Sequence, residues 1–147
     1  TDIPLALSYV NRMLHRKAVM FLLSDFITEQ SLAWIRPTTG DRDDLFRTLA
    51  LTNRHHDLIC IALSDPREFA LPNVGIITLE DAESGELVEI DTGNTQIRGL
   101  YEQQNANRHD SLIRGFRQCG VDHFSISTDK PYINALREFF VRRERRR

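Results

Sequence analysis

At 147 residues and 17.0 kDa the chain has room for one domain around one buried core. With 41% hydrophobic and 27% charged residues it is of ordinary globular composition, which excludes wholesale disorder, collagen-like repeats and coiled coil. Its longest unbroken apolar run, Ala18 to Leu23, is far short of a bilayer span.

The net charge of −2 is unevenly spread: residues 142 to 147 carry +4, so the remainder carries −6. An acidic body argues against general nucleic-acid binding, and no specific nucleic-acid partner is expected. Cys60 and Cys119 form no Cys-x-x-Cys pair and read as small apolar filler in a reduced, cytoplasmic setting. The opening Thr1-Asp2-Ile3-Pro4 has neither an initiator Met nor a signal-peptide pattern, so further sequence is expected upstream.

Ile3 to His15 carries Leu5, Leu7, Val10, Met13 and Leu14 at helical spacing, with Thr1 or Asp2 as cap. Ala18 to Asp25 is apolar on both faces and reads as a strand buried between helices. After the Pro37 to Asp41 loop, Asp43 to Arg54 is amphipathic, and Asp57 to Asp65 is a second buried strand. Past a turn at Asp65-Pro66-Arg67-Glu68, Val74 to Asp81 and Glu86 to Asp91 alternate and form a hairpin with one wet face. Gln96 to Cys119 is helical at both ends but polar from Glu102 to Asp110, compatible with one helix or two, closed by Gly120. Val121 to Thr128 is a third parallel-type strand. Pro131 to about Arg143 is a final helix with Ile133, Leu136 and Phe140 on one stripe. The alternation predicts an α/β fold, a mainly parallel sheet flanked by helices, with an inserted β-hairpin.

All three predicted parallel strands end in a hydroxyl followed by a carboxylate: Ser24-Asp25, Ser64-Asp65 and Thr128-Asp129. Ligands collect beyond the carboxyl ends of such strands, and hard oxygen donors suit Mg²⁺ or Mn²⁺. The competing reading is that each Asp caps the turn or helix that follows. Capping is preferred for Asp65 and Asp129, and Asp25 is left between cap and ligand.

Glycine-rich phosphate loops, nucleophile elbows and zinc-protease signatures are missing from the sequence. His55-His56-Asp57 reads as a solvated loop in preference to a metal pair, and Asp122-His123-Phe124-Ser125-Ile126-Ser127 as a decoy of a metal loop within a strand. The arginine tail offers charge to anionic lipid or nucleic acid, but cations suiting a helix dipole explain it as well.

The succession Arg16 to Phe26, His56-Asp57-Leu58-Ile59, Ser64-Asp65-Pro66-Arg67-Glu68 with Leu71-Pro72-Asn73-Val74-Gly75, and Glu80 to Glu86 resembles the bacterial domain-of-unknown-function family fifty-eight. Tyr101, Gly120-Val121-Asp122 and Ser127-Thr128-Asp129 fit as well, so the resemblance covers nearly the whole chain. It implies a von Willebrand factor A-like fold, here its C-terminal part, with a metal-ion-dependent adhesion site. It also implies a non-enzymatic protein-interaction or assembly role beside a MoxR-type AAA+ ATPase, in a longer protein anchored at the inner membrane through segments outside this sequence.

By position in the family, Thr1 and Asp25 resemble two of the metal ligands, while the Asp-x-Ser-x-Ser loop that supplies most of the shell has no match. No metal is therefore expected on this segment alone; Mg²⁺ or Mn²⁺ is expected in the intact protein. In the relatives' strand order Val19 to Leu23 becomes an edge, so a dimer or swapped assembly through it is expected. Two alternatives stand beside this reading. One is a metal-dependent phosphoester hydrolase using Asp25, Asp65 and Asp129, and the other a purely structural module.

Overall fold

In the computed structural model, residues 2–27, 41–80, 85 and 87–145 are described. The chain runs α1 (Ile3–Met13), β1 (Val19–Ser24), α2 (Asp41–His55), β2 (Asp57–Ser64), α3 (Pro66–Phe69), β3 (Ile76–Glu80), β4 (Leu87–Asp91), α4 (Thr95–Gln118), β5 (Asp122–Ser127) and α5 (Tyr132–Glu144). Strands β1, β2 and β5 form a parallel sheet in that order, with Val19 opposite Asp57 and Ile59 opposite Asp122. β3 and β4 pair antiparallel as a separate hairpin. The α/β architecture with an inserted hairpin is as the alternation of patterns predicts.

Strand β2 is central, and its alternation supplies two cores. Leu58, Cys60 and Ala62 meet Ile3 and Leu7 of α1, Leu45 and Leu49 of α2 and Phe116 of α4. Ile59 and Ile61 point the other way, against Phe124 and Phe139. Burying both faces requires the continuous apolar run that β2 has.

Strand β1 departs from the expectation of burial between helices. Met20 and Leu22 pack on the first core, but Val19, Phe21 and Leu23 are 59%, 49% and 57% exposed. Only β2 pairs with β1 among the described residues, so β1 is an edge strand with one apolar face open.

The helices show how local chemistry sets the boundaries. Asp2 caps α1, its Oδ1 accepting the Leu5 N–H at 2.8 Å. Ile3 and Leu7 are buried, whereas Leu5 and Met13 of the expected stripe are exposed. α4 is one helix, and its end is a Schellman motif: the Gly120 and Val121 amides donate to the Arg117 and Phe116 carbonyls at 3.1 and 3.0 Å. The φ of +65° at Gly120 is what a glycine there permits. Gly115 lets α4 approach α2, since a Cβ at that position would overlap the Phe46 ring.

In α5 the stripe that packs inward is Phe139, buried, with Ala135 and Leu136 half-buried, and not Ile133, Leu136 and Phe140. Phe139 stacks on Phe124 at 4.6 Å, and Phe140 remains 42% exposed beside the Phe21 ring. The expected turn at Asp65 to Glu68 is a single helical turn, α3.

Candidate functional site

The carboxyl ends of β1, β2 and β5 form one edge of the sheet, and each strand-end aspartate lies in its own local turn. Asp65 caps α3: its Oδ1 accepts the Arg67 N–H at 2.8 Å and its Oδ2 the Thr128 hydroxyl at 2.8 Å. The Arg67 amide first, then the Thr128 hydroxyl, hold this carboxyl below its ordinary range. The Thr128 bond, with the Thr128 N–H donating to the Ser64 carbonyl at 2.9 Å, ties the end of β5 to that of β2. The capping reading of Asp65 is therefore correct.

Asp129 does otherwise. It accepts the Ser127 hydroxyl behind it, and α5 has Pro131 as its N-cap residue with no side-chain cap, so the capping expectation fails for Asp129.

Asp25 is exposed, in a turn held by the Ile27 N–H on its Oδ1 (3.1 Å) and the Phe26 N–H on Ser24 Oγ (3.0 Å). Phe26 has φ +52°, a left-handed conformation that costs a bulky residue roughly 1–2 kcal/mol. Its buried ring, 5.0 Å from that of Phe116, offsets the cost and fixes the turn. Beside it opens a crevice whose walls are largely apolar, Phe26, Phe46 and Leu112 among them, with Asp25, Ser64, Glu68, Asn105, Arg108 and His109 as its polar lining. The last three lie in the polar stretch of α4, and His109 meets Phe69 edge-on at 5.7 Å. The polar interruption from Glu102 to Asp110 was the sequence signal for this wall.

Among the described residues, no three His, Cys, Asp or Glu side chains are grouped to hold a metal ion. Asp25, Asp65 and Asp129 thus do not converge, and the geometry a three-carboxylate hydrolase needs is not assembled. Asp25 brings one carboxylate, already engaged by an amide, where Mg²⁺ demands six oxygens. These residues do not by themselves fit the metal. Thr1 lies outside the described residues.

At the opposite edge, His56 is buried and its Nδ1 accepts the Ala18 N–H at 3.3 Å, so it is a core histidine and not part of a solvated loop. His55, one residue earlier, is exposed at the end of α2. Asp122 lies in β5, as the decoy reading has it, and is bound by Arg143 at 3.3 Å. Arg143 also binds Asp57 at the start of β2, a role that composition alone did not reveal. Both cysteines are free thiols. Burial first, then the Cys119 sulfur, pushes Cys60 up to about 12, consistent with inert filler.

The family model described as "Protein of unknown function DUF58" matches residues 1–111. Uncharacterized proteins of Mycobacterium tuberculosis (strain ATCC 25618 / H37Rv) and Mycobacterium bovis are each 28% identical over 144 residues, covering 98% of this chain and 41% of theirs. An uncharacterized protein of Mycobacterium avium is 27% identical over 98% of this chain and 77% of its own. The chain thus spans about two fifths of the length of the first of these relatives. No solved structure matches it. Among the described residues, no helix is long and apolar enough to cross a membrane.

Proposed function

The chain belongs to the DUF58 family of proteins of unknown function, and from that premise we propose that it works as a non-enzymatic, von Willebrand A-like interaction and assembly module. The observation that carries this reading is the open edge of β1, where Val19, Phe21 and Leu23 stand exposed beside Phe140. Open edges carrying exposed apolar side chains pair with other strands unless something blunts them.

A second copy is the partner the edge itself fits. Antiparallel pairing of two β1 strands centred on Phe21 sets Phe21 opposite Phe21 and Val19 opposite Leu23, which keeps the apolar face continuous. The same register places exposed Lys17 opposite exposed Asp25 at both ends. Within this reading a MoxR-type AAA+ ATPase is the proposed protein partner. Asp25 with Thr1 would contribute to an Mg²⁺ or Mn²⁺ site only together with ligands from outside the described residues.

Light scattering across a concentration series tests the edge. Lys17→Asp and Asp25→Lys should each weaken self-association roughly tenfold, and combining both in one chain should restore it. A chain that stays monomeric throughout, or a combined variant no better than the single ones, defeats the pairing. A monomer would direct attention to a strand supplied within a longer polypeptide.

A further inference from the structure

Exposed cations gather at the amino edge of the parallel sheet. Helices that lead into parallel strands end where those strands begin, so α1, α2 and α4 all finish at the amino edge of β1, β2 and β5. α5 is brought to the same edge by Arg143, which binds the first residues of β2 and β5, Asp57 and Asp122. The fold thereby gathers Arg16, Lys17, Arg54, Arg117, Arg142 and Arg145 along one edge, all exposed and, among the described residues, without an ion-pair partner. Arg117 and Arg142, far apart in sequence, line one polar groove with Gly120 and His123.

Helix dipoles account for Arg54, Arg117 and Arg142, which lie in last turns. They extend to Arg145, the C-cap of α5, but do not account for Arg16 or Lys17, which lie beyond the end of α1. Nor do they account for Met13 and Leu14, which stand 61% and 39% exposed just before Arg16 and Lys17. Cations interleaved with exposed apolar side chains suit the interface of an anionic bilayer, where the charges meet headgroup phosphates and the apolar groups enter the acyl boundary. The opposite edge carries Asp25, Asp65, Glu68 and Asp129 beside Arg67 and Lys130, a more balanced mixture, so such a surface favours the amino edge. The cations come from several separate chain turns, whereas a groove-reading protein presents its contacts on one helix or strand.

We propose that this amino edge docks on an anionic lipid surface, independently of any pairing through β1. Sedimentation with phosphatidylcholine vesicles, with and without phosphatidylserine and at low and high salt, tests it. The chain should pellet only with the phosphatidylserine vesicles and be released by salt. Arg117→Gln combined with Arg142→Gln should lower the partition about tenfold, while Lys130→Gln at the opposite edge leaves it unchanged. A thermal melt of each variant checks that it is folded. Equal binding to neutral vesicles, no binding to anionic ones, or a folded double variant that partitions like the parent overturns the proposal. Retention by duplex DNA without vesicle binding also overturns it and identifies a nucleic-acid surface instead.

Discussion

Phe116→Ala is expected to cost about 3–5 kcal/mol, a large share of the stability of a domain this size, read as a fall in the urea midpoint at unchanged slope. Phe116 is fully buried, and its ring lies 5.0 Å from Phe26, 6.2 Å from Phe46 and 5.3 Å from His123. Truncation therefore opens a cavity where α4, α2, the start of β5 and the turn after β1 meet. A second effect separates this site from an ordinary core position. Phe26 keeps its left-handed backbone because its ring is packed, so loss of the Phe116 face should loosen the turn holding Asp25. Hydrogen exchange at the Phe26 and Ile27 amides should then accelerate beyond the global loss. Phe116→Leu, which refills most of the space, should cost about 1–1.5 kcal/mol. A loss below about 1 kcal/mol for the alanine variant would mean that α4 does not pack as described.

What the sequence discloses about this fold follows from how each segment meets its neighbours. β2 is legible because a centre strand must be apolar on both faces, and Leu58 to Leu63 is. β1 carries the same kind of run, and its pattern alone gives no sign that one face is bare; that depends on what lies beside it and over it. In α5, Phe139 and Phe140 are adjacent and equally apolar, so the stripe rests on which of them meets Phe124. The burial of His56 is not legible in His55-His56-Asp57, because it goes with a backbone partner, Ala18, in another segment. At the candidate site, Asp65 is legible as a cap because Asp-Pro is a local signal. Asp129 fails the same reading because Pro131 occupies the N-cap position of α5 and the carboxylate turns back to Ser127.

Arg143 is the residue whose role is hardest to see from sequence, set in an arginine-rich tail, and its replacement should have the second large effect. Its guanidinium joins two carboxylates on neighbouring strands, with side-chain exposures of 16% for Arg143, 22% for Asp57 and 33% for Asp122. Arg143→Met keeps the aliphatic stem but removes the cation between two like charges, and is expected to cost about 2–3 kcal/mol in urea denaturation. Arg142→Met, on an exposed neighbour in the same last turn, should change stability by less than about 0.5 kcal/mol. Combining Arg143→Met with Asp57→Asn should recover part of the loss, because the repulsion between the two carboxylates goes with one of them. The cycle formed by the single and double variants should then show a coupling of about 1–2 kcal/mol. Strictly additive losses would place Arg143 among ordinary surface ion pairs. The end of α5 would then be held by Phe139 against Phe124 and not by the bridge between β2 and β5.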